Sequence, residues 1–358
     1  MYHSFSKLHS FTSTFFEKTG CSKKDAATIA DVFLAAELRG IGSHGLIRIP
    51  DYYQLWKTGR LNTKPRMKIT HETISTAVVD GDNAPGMLAG VFSMETAIKK
   101  AENAGTGWVA CRNSNHFGIA GYYAMMALEH DMTGICLTNA NPLVAPTFSI
   151  TRLLGTNPIA IAVPAGKHPP FVADFATTPI ARGKLEVAVK KGEKTLYGFV
   201  QDKDGNPTDD PDILRKGGSM LPLGGDIEHG SHKGYCLGAG VDIFSSLLSG
   251  AGFGPFVPPS VAYLPPPDGD NGKGTGHFFG AMRIDAFREV DEFKTAMDKW
   301  IDTFKGAESA PGKPDVLIPG EIEREQEKIN KSRGIRLIPA VIDELNQIAA
   351  GLGMDTRL

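Results

Sequence analysis

Two histidines lie in polar turns of otherwise apolar sequence, and an imidazole ring can exchange protons near neutral pH. His116 lies in the turn NSNHFG, between a strand predicted at residues 108–111 and a helix predicted at residues 119–128. His44 lies in GIGSHG beside Ser43, where glycines let the chain turn sharply. The surroundings of His116 are the part of the sequence most typical of a ligand site.

Arg48 follows His44 by about one helical turn, so the two side chains can face the same cleft. Ordinary structural roles explain this group as well. Ser43 can cap a helix and leave His44 partly exposed, and Arg48 can form a surface ion pair. The residues alone leave both interpretations open.

The elements around His116 predict where a ligand would bind. A second apolar strand is predicted at residues 134–137, and it runs into the polar turn TNAN at residues 138–141. In open α/β sheets, ligands bind beyond the carboxyl ends of strands, where such turns gather. A helix that follows such a turn also presents free N–H groups to an anion. The sequence therefore predicts a ligand site at one edge of a sheet.

Strands and helices alternate from residue 76 through residue 164, which predicts an α/β fold.

Asp174 follows a predicted strand, where it can cap the next turn or accept a hydrogen bond from a ribose hydroxyl. Lys233 stands at a glycine-rich helix start and suits a phosphate. His229 and His232 are three residues apart, but no further ligand accompanies them, so we predict no metal site.

Both ends of the chain are predicted to be helical. One helix ends near Gly40, and a C-terminal apolar stripe runs over residues 338–352. We expect one helical lobe from residues 1–75 and 310–358, and an α/β domain from residues 76–309. The polar excursion at residues 195–217 predicts a hairpin or flap on that domain.

A glycine pattern in the N-terminal region imitates a dinucleotide fingerprint. Gly40, Gly42 and Gly45 spell GxGxxG, but the fingerprint needs a strand before its first glycine. Because a helix comes first here, we predict that the fold is not a Rossmann fold.

Composition narrows the class of protein. The 358 residues carry a net charge of −2 and no stretch of clustered Lys or Arg, which argues against nucleic acid or a membrane surface as partner. No apolar run reaches the length of a membrane span, and the N-terminus lacks the pattern of a signal peptide. The four cysteines are far apart and predict free thiols, so a cytoplasmic protein is expected.

Six segments, in this order and spacing, closely resemble the type-2 malate/L-lactate dehydrogenase family, and most closely its malate-type members. They are RGIGSHGLIRIPDY, NSNHFGIAGYYA, LLGTNPIAIAVP, DFATT, GFVQDKDGNPT and SHKGY. The resemblance covers nearly the whole chain. It implies a non-Rossmann cofactor-binding mixed sheet, a helical lobe from both chain ends, and a homodimer with cofactor sites near the subunit interface.

The resemblance also implies an oxidoreductase that transfers a hydride between NAD or NADP and a small 2-hydroxy or 2-oxo acid. Malate and oxaloacetate are favoured, and NAD is favoured over NADP. Alternatives are lactate, sulfolactate, ureidoglycolate, diketogulonate or the imine acid piperideine-2-carboxylate. A binding protein that kept the fold without the chemistry is an alternative of another class.

Roles for single residues follow from the matched segments. His116 is expected to be the acid/base, with His44 and Ser43 polarising the substrate oxygen or relaying the proton. Arg48 is expected to bind the substrate carboxylate through its planar fork, and Tyr52 to add a hydroxyl. The resemblance assigns cofactor contacts to Asn139, Asn141, Asp174, Phe175, Ala176, Lys233, Gly320 and Glu321.

Overall fold

A computed structural model describes residues 2–358, with the side chain of Lys190 left out. The described residues form ten α-helices: α1 (Phe5–Lys18), α2 (Lys23–Leu38), α3 (Ile49–Lys57), α4 (Gly86–Ala104), α5 (Ala120–Met126), α6 (Arg182–Lys191), α7 (Ser231–Asp242), α8 (Val290–Lys305), α9 (Glu321–Arg333) and α10 (Pro339–Gly351). They also form twelve strands: β1 (Tyr2–His3), β2 (Lys68–Glu72), β3 (Thr76–Asp80), β4 (Thr106–Ser114), β5 (Met132–Thr138), β6 (Ile159–Val163), β7 (Phe171–Phe175), β8 (Val200–Gln201), β9 (Pro207–Thr208), β10 (Ser219–Met220), β11 (Thr275–Arg283) and β12 (Ile335–Arg336).

Local sequence signals start the N-terminal helices. The Ser4 hydroxyl accepts a hydrogen bond from the Lys7 N–H at 3.2 Å, and the Ser22 hydroxyl accepts one from the Asp25 N–H at 3.1 Å. Each serine thereby satisfies one of the free N–H groups of a first helical turn. Pro50 lies in the first turn of α3, where its missing N–H costs nothing.

The main sheet has seven strands in the order β2-β3-β4-β11-β5-β6-β7. Only β3 and β4 run parallel, and every other neighbouring pair is antiparallel. A Rossmann sheet is mostly parallel. The predicted non-Rossmann mixed sheet is therefore confirmed.

The strand directions gather several strand ends at one edge of the sheet. Because β4 and β5 are both antiparallel to β11, their carboxyl ends at Ser114 and Thr138 lie on either side of the start of β11. Two further antiparallel pairings bring the end of β7, at Phe175, to the same edge. The polar turns after β4 and β5 therefore meet, as the sequence predicted.

Helices cover both faces of the sheet. On one face α4 packs on β4 and β11, and α5 packs on β5 and β6. The π-helical turn that follows α7, Ile243–Leu247, packs on the other face. Gly107 and Gly134 allow the close approach on the first face, because an added Cβ would collide with the carbonyls of Ala97 and Ala124 respectively.

The two ends of the chain meet beside the sheet. β1 pairs antiparallel with β12, and α10 packs on α3. The Asn330 amide of α9 donates to the carbonyls of Glu37 and Leu38 at 3.0 and 2.9 Å. The predicted helical lobe built from both chain ends is thus confirmed. Its boundaries stay a prediction, since β2 precedes residue 75 yet belongs to the main sheet, and one hydrophobic core runs through both parts.

The predicted hairpin near residues 195–217 is a small three-stranded sheet, β10-β8-β9. Its strands β8 and β9 are antiparallel and flank a turn at Asp202 and Gly205. Val200 and Ile213 of this excursion lie outside the main hydrophobic core and are buried in an apolar cluster of their own with Leu185 of α6. Among residues 2–358, no helix is long and apolar enough to span a membrane.

Candidate active site

The segment that follows α2 presents Ser43 and His44. It forms two short 3-10 turns, Gly42–His44 and Leu46–Arg48. The buried Glu37 carboxylate lies beneath it and accepts a hydrogen bond from the Leu46 N–H at 2.8 Å. Burial raises the pKa of Glu37 to about 7. An added Cβ at Gly45 would collide with this carboxylate, so the segment rests directly on α2.

Arg48 is held by its own segment. Its Nε–H donates to the Ser43 carbonyl at 2.8 Å, and its Nη1 lies 3.4 Å from the Asp51 carboxylate. Its side chain is 27% exposed. The ion pair that the sequence left open therefore exists, but it lies beside His44 and orients the guanidinium. A guanidinium has five N–H donors, so donors remain for a ligand.

His116 and His44 come together across the interface between the sheet and the helical lobe. Their rings are stacked, with centroids 5.4 Å apart and an interplanar angle of 21°. The hydroxyl of the buried Tyr52, on α3, lies 2.9 Å from His116 Nδ1 and 2.5 Å from the His116 carbonyl oxygen. The Gly118 N–H approaches the same nitrogen at 3.4 Å, a longer contact.

Both rings are neutral near pH 7. Burial lowers the pKa of His116 well below its ordinary value, and the nearby His44, Arg48 and His277 lower it further. Burial lowers the pKa of His44 to about 4, with a smaller effect from Arg48. Burial disfavours the charged imidazolium and so lowers the pKa, and a neighbouring cation lowers the pKa as well.

His277 is a buried histidine at this edge to which the sequence analysis gave no role. Its Nδ1 lies 2.7 Å from the Thr138 hydroxyl and its Nε2 lies 2.7 Å from the Ser114 hydroxyl, so it joins the ends of β5 and β4. Its ring stacks on Phe117 at 4.5 Å and 6°. Burial lowers its pKa to about 3. The sequence feature that could have identified His277 is a histidine inside the apolar segment GHFFGAM.

Three residues with predicted cofactor contacts line one cavity of about 320 Å³, between the end of β7 and the start of α9. They are Asp174, Phe175 and Gly320. The Asp174 carboxylate accepts a hydrogen bond from the Gly121 N–H at 2.7 Å. Glu323, which the sequence analysis did not single out, lines the same cavity.

Other residues with predicted cofactor contacts lie elsewhere. Glu321 pairs with Lys305 at 2.7 Å and accepts from the Ile318 N–H at 2.8 Å. Lys233 is exposed on the first turn of α7, and Ala176 and Asn141 are half-buried in loops.

Asn139 is 2% exposed, and its side chain is occupied within the protein. Its amide donates to Asp242 and to the Gly252 carbonyl, and its oxygen accepts from the Gly276 N–H. The cofactor contacts of these residues stay predictions.

The second histidine pair does not form a metal site with its neighbours. His229 Nδ1 lies 2.5 Å from Asp226 Oδ1, so that ring nitrogen is hydrogen-bonded within its own loop. Across residues 2–358, no group of three or more His, Cys, Asp or Glu could hold a metal ion.

The fold and this site define an α/β protein with a mixed sheet, a helical lobe built from both chain ends, and two stacked histidines beside an arginine. The family model described as malate/L-lactate dehydrogenase matches residues 3–346. The chain therefore belongs to the malate/L-lactate dehydrogenase family, which confirms the resemblance. It is an NAD(P)-dependent dehydrogenase of hydroxy acids.

Similar proteins come from several organisms. A malate dehydrogenase of Pyrococcus abyssi is 41% identical over 97% of this chain and 94% of that protein. An L-sulfolactate dehydrogenase of Methanocaldococcus jannaschii is 41% identical over 95% of this chain and 94% of that protein. The crystal structure of a malate dehydrogenase from Entamoeba histolytica has a TM-score of 0.92 and 34% identity, covering 100% of this chain and 99% of that chain.

Proposed function

We propose that this enzyme interconverts malate and oxaloacetate, with His116 as the acid/base. The observation that carries the proposal is the convergence of three side chains that are separated in sequence. The His116 ring stacks on the His44 ring, and Arg48 is hydrogen-bonded to the Ser43 carbonyl beside His44. Relatives at 41% identity are named malate dehydrogenase and L-sulfolactate dehydrogenase, and both names refer to small acids of this type.

The contacts of Tyr52 support His116 as the base for alcohol oxidation. A carbonyl oxygen only accepts hydrogen bonds, so the short contact at 2.5 Å assigns the Tyr52 proton to the His116 carbonyl. In the tautomer that we propose, Tyr52 then accepts from the Nδ1–H of His116, because this contact, at 2.9 Å, is shorter than the 3.4 Å contact between the Gly118 N–H and the same nitrogen. This tautomer leaves Nε2 without a proton. In this proposal Nε2 takes the substrate hydroxyl proton in oxidation and returns it in reduction. Tyr52 acts through His116, instead of binding substrate as the sequence analysis expected.

Arg48 and the Ser43–His44 pair complete the proposed chemistry. Arg48 binds the carboxylate next to the reacting carbon and so aims that carbon. The bound carboxylate offsets the positive charge of Arg48, which raises the pKa of His116 toward the range useful for proton transfer. The Ser43 hydroxyl, 2.9 Å from His44 Nδ1, orients that ring beside the substrate oxygen.

The cofactor, when bound, accepts the hydride from the alcohol carbon or supplies it to the oxo acid. We assign its adenosine end to the cavity lined by Asp174, Phe175 and Gly320. The carboxylates of Asp174 and Glu323 would repel the 2′-phosphate of NADP, which favours NAD. Arg39 lines the same cavity, but it is only 8% exposed and lies 3.5 Å from Glu327.

The cofactor preference is tested by Asp174→Asn. We expect the ratio of kcat/KM for NADPH to that for NADH to rise about tenfold, because one repelling charge is lost. Glu344→Gln is the matched control, since it removes a carboxylate from an exposed position on α10, outside this cavity. An unchanged ratio would remove Asp174 from the recognition of the cofactor.

We further propose a homodimer that forms through α7 and the π-helical turn. Asp242 is the only acidic residue from residue 234 to residue 248, and it is buried. Large apolar side chains of this stretch are exposed: Tyr235, Leu237, Ile243, Phe244, Leu247 and Leu248. A patch of this kind marks a protein interface. Leu247→Asp should give a monomer in light scattering, whereas Ile74→Asp, at a site 76% exposed, should not.

We propose that this enzyme is located in the cytoplasm. The four cysteines are free thiols, and Cys21, Cys111 and Cys136 are buried. Free thiols are typical of a reducing compartment.

The proposed reaction is tested by oxidation of NADH and NADPH with oxaloacetate, pyruvate and other 2-oxo acids. We expect the highest kcat/KM with oxaloacetate and NADH. His116→Ala should lower kcat by about 10²- to 10⁴-fold with little change in NADH binding. His130→Ala, at the opposite edge of the sheet, is the control. If the enzyme turns over only another 2-oxo acid, the proposed chemistry stands, but malate and oxaloacetate are not its substrates.

A further inference from the structure

A second arginine lies beside the segment that carries Ser43 and His44. α6 begins at Arg182, and the first turn of this helix faces the segment that carries Ser43 and His44. An added Cβ at Gly183 would lie 3.7 Å from the Ser43 Cβ, so the two backbones are close neighbours there. Arg182, Gly183 and Ser43 are thus brought together from segments about 140 residues apart.

The Arg182 side chain is oriented within this region. Its Nε lies 2.9 Å from Glu186 Oε1, one turn along α6, and its side chain is 31% exposed. The Tyr263 hydroxyl also contacts it and helps to raise the pKa of the guanidinium. Arg182 is therefore held near Ser43, with donors of its guanidinium still open to a ligand.

Asp51 connects the two arginines electrostatically. It lies 3.4 Å from Arg48. Burial raises the pKa of Asp51, and the charges of Arg48 and Arg182 lower it. Both guanidinium groups therefore lie near enough to act on this carboxylate. A monocarboxylate substrate needs only one of these guanidinium groups, but a substrate with two acid groups can use both.

We propose that Arg182 binds the second acid group, a carboxylate or sulfonate, of a dianionic 2-oxo or 2-hydroxy acid. Arg48 binds the other acid group of this substrate, the carboxylate next to the reacting carbon. This inference rests on the proposed function and names the residue that selects the substrate. A charge-assisted hydrogen bond between guanidinium and acid group supplies the selectivity. A monoanion leaves Arg182 paired with Glu186 and gains nothing from it.

The test compares two 2-oxo acids of equal carbon length, oxaloacetate with two carboxylates and 2-oxobutyrate with one. Arg182→Gln should lower kcat/KM for oxaloacetate by about 10- to 100-fold. The same variant should change kcat/KM for 2-oxobutyrate by less than about threefold, because Arg48 is untouched. Arg182→Lys should retain part of the oxaloacetate activity, since it keeps the charge and loses the fork.

Lys184→Gln is the matched control, because it removes one charge from the exposed side of the same helical turn. This control variant should leave kcat/KM unchanged for both oxaloacetate and 2-oxobutyrate. Equal losses with both acids in Arg182→Gln, or no loss with either, would overturn the inference and leave the dehydrogenase activity standing. Failure of the wild-type enzyme to turn over any 2-oxo acid would overturn the proposed function, and the inference with it.

Discussion

His277 makes the stability of this enzyme depend on pH in a way that can be calculated. The ring is fully buried, and its pKa in the folded protein is about 3, against an ordinary value of 6.5. Between these two values the unfolded chain binds a proton that the folded protein excludes. Lowering the pH through this window therefore favours unfolding, and stability is lost as the pH falls from 6.5 toward 3.

The size of the effect follows from the pKa difference. Each pH unit below 6.5 costs about 1.4 kcal/mol for one such group. At pH 5 the loss from His277 is therefore about 2 kcal/mol relative to pH 7. His44 and His116 add to the total loss, because their pKa values are also lowered by burial.

The variant His277→Asn isolates this contribution. It can keep one hydrogen bond to Ser114 or Thr138 but cannot bind a proton. We expect it to be less stable at pH 7 by about 1–3 kcal/mol, through its lost hydrogen bond. Between pH 7 and pH 5, however, it should lose about 2 kcal/mol less than the wild type. His44 and His116 are common to both proteins and cancel in this comparison.

Urea unfolding at pH 7 and pH 5, at one fixed protein concentration, measures the difference. His71→Asn, at an exposed position on β2, controls for the loss of a histidine as such. If wild type and His277→Asn lose the same free energy of unfolding over this range, His277 is not the buried neutral group described above.

Further predictions concern the groups that position the histidines. Glu37→Ala removes the acceptor of the Leu46 N–H and should lower kcat/KM about tenfold in steady-state assays, whereas Glu37→Gln keeps an acceptor oxygen and should stay near wild type. Gly45→Ala places a methyl group against Glu37, so urea unfolding should show a loss of about 2 kcal/mol. Tyr52→Phe frees the His116 Nδ1 and should lower kcat about 10- to 100-fold with KM nearly unchanged; an unchanged kcat would contradict its role.

Local elements were predicted well because their signals are short-range. The helix expected to end near Gly40 is α2, which ends at Leu38, and the strand expected at residues 134–137 is the middle of β5. The helix expected at residues 119–128 is α5, followed by a 3-10 turn. Capping residues, proline and apolar periodicity act within a few residues of the structure that they specify.

Resemblance to a family extended this local knowledge. Matched segments named His44, Arg48 and His116 as a group, and the structure brings these three residues together. The resemblance did not describe how each residue is held. Tyr52 was expected at the substrate, yet its hydroxyl is bonded to His116.

The position of β11 is the feature that only the tertiary structure decided. Its apolar segment GHFFGAM is typical of a strand, but nothing in it indicates insertion between β4 and β5, from which it is separated by more than 130 residues. That insertion places His277 between Ser114 and Thr138 and aligns the two polar turns. Pairing over such distances depends on the packing of the whole sheet, which no local pattern encodes.

The sequence by itself determined the family, the identity of the elements and the reactive side chains, since these depend on residue type and short spacing. The tertiary structure decided which groups act together. It set Arg182 beside Ser43, Glu37 beneath Leu46, and Glu323 in the cavity with Asp174. The physical reason is that burial, charge and hydrogen-bond partners at a site come from segments that meet only when the chain folds.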